Sequence, residues 1–303
     1  MLIYGWPDSR IAYTNLENLI YILPQQEIMV WKIGCNSDAF RETGRSFEYM
    51  LKVLSELGFD SVEPQVISGQ ASSILYGYDP TISLESDPIE IKRMASDYGL
   101  EIICISAHAN LMEVGEAGPC YLIKAIRFAK LIGAEIVNTS EGPKPDYLTE
   151  EEAFQLMKIN LRVILRQAKN LGIKVTIEPH NIYTVQTKTM LKILDLVPPE
   201  LSEYFGVNFD TGNVTLFGTD PIEMLDAVID RVMHVHLKDL DRETYEKYKG
   251  MTGIPFGTAI GKGIVPLKEI INRLKKSGFD GELSLECSAN DLKESIEYVR
   301  SII

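Results

Sequence analysis

From Ile33 onward, short apolar runs alternate with longer stretches whose apolar residues return every three or four positions, the signatures of strands and amphipathic helices. Strands are predicted at IGCN (from 33), SVEP (61), EIICIS (101), EIVN (135), KVTIE (174), YFGVNFD (204), VMHVH (232) and ELSLE (282). Helices are predicted over 46–57, 88–98, 118–131, 149–171, 187–196, 221–229, 267–276 and 291–302. The helix ends carry punctuation: Thr149 opens a glutamate-rich first turn, Asp87 precedes Pro88, and Gly58, Gly99, Gly172 and Gly278 follow helical runs. Eight successive βα units predict an α/β fold, a single (β/α)₈ TIM barrel whose site lies at the C-terminal ends of its strands. Clear patterning begins only near Met29, so residues 1–28 are expected to be an N-terminal extension and 29–303 the barrel.

The late strands share a second pattern. Side chains two apart leave a strand on the same face. Thr176 and Glu178, Asn208 and Asp210, His234 and His236, and Ser284 and Glu286 therefore point inward, while Val175, Ile177, Val207, Phe209, Val235, Leu237, Leu283 and Leu285 face the helices. Three carboxylates and an imidazole meeting at a barrel mouth would repel and lose solvation unless a cation sat between them. One divalent ion held by Glu178, Asp210, His236 and Glu286 resolves the conflict. Three oxygen ligands and one nitrogen suit Mn²⁺ or Co²⁺, with Mg²⁺ or Zn²⁺ as alternatives, better than a closed structural zinc site. His234, one layer deeper, is a support or substrate group, and the other two histidines, His108 and His180, map to the same rim.

Composition narrows the partners. A formal charge of −13 over 303 residues disfavours nucleic acid and anionic membranes, which need a positive field. Cys35, Cys104, Cys120 and Cys287 form no CxxC pair and are expected to be buried, reduced thiols, as in a cytoplasmic protein. The first 28 residues lack a basic n-region and a small-residue cleavage site, so they are read as neither signal peptide nor anchor.

Taken in order, GFDSVEP, GIKVTIEPHN, VNFDTGNV, HVHLKD and GTAIGKGIVPLKEIINRLKKSGFDGELSLE resemble the xylose isomerase-like barrel superfamily of sugar and sugar-phosphate isomerases and epimerases. The resemblance to ketose 3-epimerases of the D-tagatose and D-psicose type implies the same four metal ligands, with Glu178 and Glu286 also exchanging protons with the substrate. It further implies substrate contacts from Arg242, six residues after His236, and adds Glu63 to His108, His180, Asn213 and His234 as candidate substrate-binding residues. The chain departs from that group where Asn213 replaces a histidine and Thr184 a glutamate. The Asp-x-Gly-Asn and His-x-Lys-Asp forms are more similar to the branch containing L-xylulose 5-phosphate 3-epimerase.

The implied chemistry is proton removal beside a carbonyl, with an enediolate stabilised by the metal. The expected partner is a small-molecule sugar or sugar phosphate, and a homo-oligomer is compatible with the chain. Alternatives on the same metal site are a dehydratase of the inosose type and a 3-keto-sugar lyase or deglycosidase subunit. A non-enzymatic sugar-binding barrel would be expected to lack a ligand, and a metal-dependent apurinic endonuclease would need more histidines and a basic groove. Lys262, in the Gly-rich GTAIGKG, is either a solvated loop lysine or an anion contact.

Overall fold

The computed structural model describes residues 31–68, 80–253 and 257–303. The expected extension, residues 1–28, lies outside them. Strands β1 (Ile33–Cys35), β4 (Cys104–Ser106), β5 (Ile136–Thr139), β6 (Lys174–Ile177), β7 (Phe205–Asp210), β8 (Val232–Leu237) and β9 (Leu283–Leu285) form one parallel sheet in the order β1-β9-β8-β7-β6-β5-β4. The short strands β2 (Val66–Ile67) and β3 (Ile82–Ser83) pair separately.

The predicted strand at SVEP fills the gap between β1 and β4 as an irregular stave. Its Glu63 amide donates to Cys35 O at 2.9 Å on one side, and Val62 N donates to Glu101 O at 2.9 Å on the other. Pro64 has no N–H to give, so pairing continues through its carbonyl, which accepts from Ser106 N at 3.0 Å. A continuous ladder is replaced by bridges at Ser61, Glu63 and Gln65, and the curled sheet closes into a barrel.

Around the sheet run α1 (Phe47–Leu57), α2 (Pro88–Asp97), α3 (Ala117–Ile132), α4 (Glu150–Leu171), α5 (Thr187–Leu194), α6 (Thr211–Phe217), α7 (Pro221–Val228), α8 (Arg242–Tyr248), α9 (Leu267–Ser277) and α10 (Leu292–Ile302). Eight of these match the predicted helices; α6 and α8 were not expected. Helix α4 begins in a capping box, Thr149 Oγ1 accepting from Glu152 N while the Glu152 carboxylate accepts from Thr149 N at 2.8 Å. Gly172 ends it at φ 67°, a conformation open to glycine and costly for other residues.

All eight outward residues of the late strands, from Val175 to Leu285, are fully buried against the helices. Their inward neighbours are polar rather than the branched aliphatics usual in such barrels. Three cysteines are buried; Cys120, expected to be buried, is exposed because it falls on the outer face of α3 rather than in a strand. Among the described residues no helix is long and apolar enough to cross a membrane.

Candidate metal centre

Parallel register sets the centre. Asp210 on β7 stands level with His236 on β8, and His236 level with Ser284 on β9, so Glu286 comes just above. Glu178 continues β6, its amide donating to Thr139 O at 2.8 Å. Each of Glu178, Asp210, His236 and Glu286 is buried and offers one ligand atom within 4.8 Å of the other three.

Each side chain is held in place by neighbours, and three of the four are left bare on one atom. Glu178 Oε2 accepts from Asn138 Nδ2 at 2.6 Å, and its Oε1 from Asn213 Nδ2 at 3.4 Å. Asp210 Oδ1 caps α6 by accepting from Asn213 N at 2.7 Å. Glu286 Oε1 accepts from the Lys238 ammonium at 3.1 Å. His236 Nε2 lies 2.8 Å from Glu63 Oε2, while its Nδ1 faces Glu178 Oε2 at 3.5 Å and Glu286 Oε2 at 3.6 Å. Among the described residues Asp210 Oδ2, His236 Nδ1 and Glu286 Oε2 have no hydrogen-bond partner. Buried polar atoms are normally satisfied, so three bare donors around one point fit a cation.

Electrostatics agree with that fit. Burial pushes the Asp210 carboxyl well up, outweighing the nearby Lys238 ammonium. Burial also opposes charge on Glu178, but His236, with His108 and His180 behind it, holds this carboxyl below the usual range. His236 keeps its proton far more tightly than an ordinary histidine: burial works against the proton, and Glu63 and Glu178 more than offset it. The raised proton affinity of both His236 and Asp210 is the response of a cluster short of positive charge. Glu63 would hold the Nε2–H of a metal-bound His236, and Nδ1 would be the atom free to ligate.

The other candidates divide by depth. His108 and His180 line the cavity above the cluster with ring centroids 5.3 Å apart, and His108 Nε2 is 3.9 Å from Glu178 Oε2. Burial brings the His108 pKa down to about 4. Asn213 contacts Glu178 through its side chain and Asp210 through its amide. Glu63 and His234 lie beneath and do not line the cavity, which for His234 favours the support role over the substrate one. His234 bridges Asn208 Oδ1 and Glu282 Oε2, each at 3.0 Å. Glu63, Cys104 and His234 also lie close enough to hold an ion, but burial and then Glu63 push the Cys104 thiol well up, so it remains protonated beside Glu63. Arg242 is not brought to the cluster: it opens α8 with its side chain 73% exposed, 3.9 Å from Glu246.

Six residues near the centre were not among the candidates: Lys238, Asn138, Asp38, Arg41, Asn36 and Gln65. Lys238 carried a signal, because it stands two after His236 on the same strand face. Asn138, at the end of the EIVN run, carried the same inward-tip signal. Asp38 and Arg41 line the cavity from a single 3₁₀ turn, Ser37–Phe40, after β1, and no periodicity marks such a turn.

Comparison with known proteins identifies the family of the chain. An inosose dehydratase from Mesomycoplasma hyopneumoniae (strain J) is 28% identical over 281 residues, covering 82% of this chain and 92% of its own. A D-tagatose 3-epimerase-like protein superposes with a TM-score of 0.69 at 20% identity, covering 89% of this chain and 96% of that one. The IOLI protein, solved with a bound zinc atom, superposes with a TM-score of 0.68 at 15% identity over 89% and 96% of the two chains. These two likenesses speak for the fold. The model of the xylose isomerase-like TIM barrel family matches residues 51–302, most of the chain, and the protein belongs to that family.

Proposed function

We propose that this protein is a divalent-metal-dependent enzyme that removes a proton from the carbon beside a carbonyl in a polyhydroxylated keto compound. The observation carrying this reading is the set of bare buried donors, Asp210 Oδ2, His236 Nδ1 and Glu286 Oε2, grouped with Glu178. Glu178, Asp210, His236 and Glu286 would hold the ion, which supplies a Lewis acid that polarises the carbonyl and lowers the barrier to enolisation. Glu178, from the end of β6, and Glu286, from the end of β9, both face His236 Nδ1, at 3.5 and 3.6 Å, and either carboxylate can take the proton. His108, His180 and Asn213 would orient hydroxyl groups.

The fate of the enolised substrate separates two outcomes. Loss of a neighbouring hydroxyl as water gives a dehydratase, which is supported by the inosose dehydratase relatives that align over most of both chains. Return of the proton to the opposite face gives an epimer, which is supported by the two carboxylates at the centre. The test is incubation of the Mn²⁺- or Co²⁺-loaded protein in D₂O with a panel of keto-inositols and ketoses, followed by NMR. Label beside the carbonyl with water loss identifies the dehydratase, and label with an epimer identifies the epimerase. Retention of every substrate proton while the metal is demonstrably bound refutes the proposal.

A further inference from the structure

The cavity above the metal centre has a far wall that the reaction has not used. Asp38 is buried there, and its Oδ1 lies 2.6 Å from the Arg41 guanidinium. Among the described residues Arg41 is the one lysine or arginine lining that cavity. Its charge is met by Asp38, as the Lys238 ammonium is met by Glu286. On the other wall, the three carboxylates of the centre balance Lys238 and a divalent ion. Among the described residues no net positive charge is left over for a phosphate.

Two further observations agree. The Gly-rich GTAIGKG segment, where Lys262 could meet an anion, has amides that are already engaged. Asp239 accepts from Gly261 N and Gly263 N at 2.9 Å through Oδ2, and from Leu240 N at 2.9 Å and Val265 N at 3.1 Å through Oδ1. An internal carboxylate sits where an anionic ligand would sit. Lys262 in that loop is 65% exposed and 3.5 Å from Glu294.

A paired guanidinium and carboxylate present donors and acceptors side by side. That arrangement matches a vicinal diol, whose hydroxyls both donate and accept, and it sets a negative oxygen against a phosphate. We infer that Asp38 and Arg41 form the substrate-selecting wall of this site, and that they favour an uncharged polyhydroxylated keto compound over its phosphate ester.

This inference rests on the proposed function, and binding separates it from turnover. Calorimetry on the Mn²⁺-loaded protein compares a ketose and a keto-inositol with their phosphate esters, in wild type and Asp38→Asn. The neutral compound should bind at least about tenfold more tightly than its ester in wild type. Asp38→Asn, which leaves the Arg41 charge unmatched and keeps the shape, should narrow that ratio about tenfold or reverse it. Equal or tighter binding of the ester by wild type overturns the inference, as does an unchanged ratio in the variant. If Asp38→Asn fails to fold, Arg41→Gln is the second variant and should weaken the neutral compound at least about tenfold; unchanged binding overturns the assignment. Selective binding of the neutral compound without solvent exchange would leave the wall standing and refute the chemistry. Exchange with ester preference would do the reverse.

Discussion

Replacing Asp210 by Asn tests the metal centre with little risk to the fold. The carboxamide has the same shape, and its oxygen can still accept from Asn213 N, so the cap of α6 is retained. What changes is the charge on a wholly buried side chain whose second oxygen is bare. In wild type without metal, burial raises this carboxyl, so the folded state holds a proton that the unfolded chain gives up. Below the ordinary carboxylate range both states are protonated and nothing is lost; as pH rises past it, the folded state loses stability relative to the unfolded one. The metal-free variant should therefore melt at or above the wild-type temperature at pH 7, with the difference shrinking as pH falls toward 4. Metal reverses the order. At a hundred times its Kd an ion stabilises the fold by about 2.7 kcal/mol, which for a domain of this size is a rise of roughly 4–5 °C in Tm. Asp210→Asn should lose most of that rise. Thermal melts with Mn²⁺ and with EDTA across pH 4–8 read both effects. An equal Mn²⁺-induced rise in both proteins would refute the ligand assignment, and a metal-free variant melting lower by more than the loss of a cap, about 1 kcal/mol, would make Asp210 structural.

Three further outcomes are expected. Glu63→Gln weakens the hydrogen bond that orients His236 and should lower Mn²⁺ affinity by about 10- to 100-fold in calorimetry; unchanged affinity would make the 2.8 Å contact incidental. Lys238→Met removes the ammonium between Asp210 and Glu286 and should cost the metal-free protein about 3–5 kcal/mol, the cost of breaking a buried pair. Because an ion can replace the missing charge, its Mn²⁺-induced rise in Tm should exceed that of wild type, and a smaller rise would count against the charge balance. Arg242→Ala, at an exposed position, should change stability by less than about 0.5 kcal/mol and leave solvent exchange intact; a drop of tenfold or more would return Arg242 to the substrate site.

The helices and the late strands were legible because burial imposes a period on them. In HVHLKD the alternation that sends Val235 and Leu237 to the helices sends His234 and His236 inward, and the same rule reaches Lys238. Other features depended on partners that local pattern does not encode. Glu63 meets His236 across 173 positions of sequence, and only closure of the irregular stave at Pro64 brings them together. Helix α6 looked like a loop because Gly212 is a poor helix former; the structure gives the reason for that glycine, since a Cβ there would stand 2.5–2.8 Å from the Lys238 stem. Asp38 and Arg41 come from one 3₁₀ turn, too short for periodicity to mark.

The polar interior forms two tiers with different duties. In the lower tier Ser61 donates to Glu282, Glu282 meets His234, and His234 meets Asn208, while Ser106 donates to Glu63 at 2.6 Å. Gly34 leaves the room that the Glu282 carboxylate occupies. Apart from Ser284 Oγ, the bare buried atoms at the strand tips belong to the upper tier. A barrel that needed only stability would fill this space with branched aliphatics and avoid the desolvation cost. Here the lower tier is bonded closely enough to lock the orientation of His236, and the upper tier is left short of partners by about one divalent ion. That separation of a satisfied scaffold from an unsatisfied rim is the physical case for a site organised before its ligands arrive.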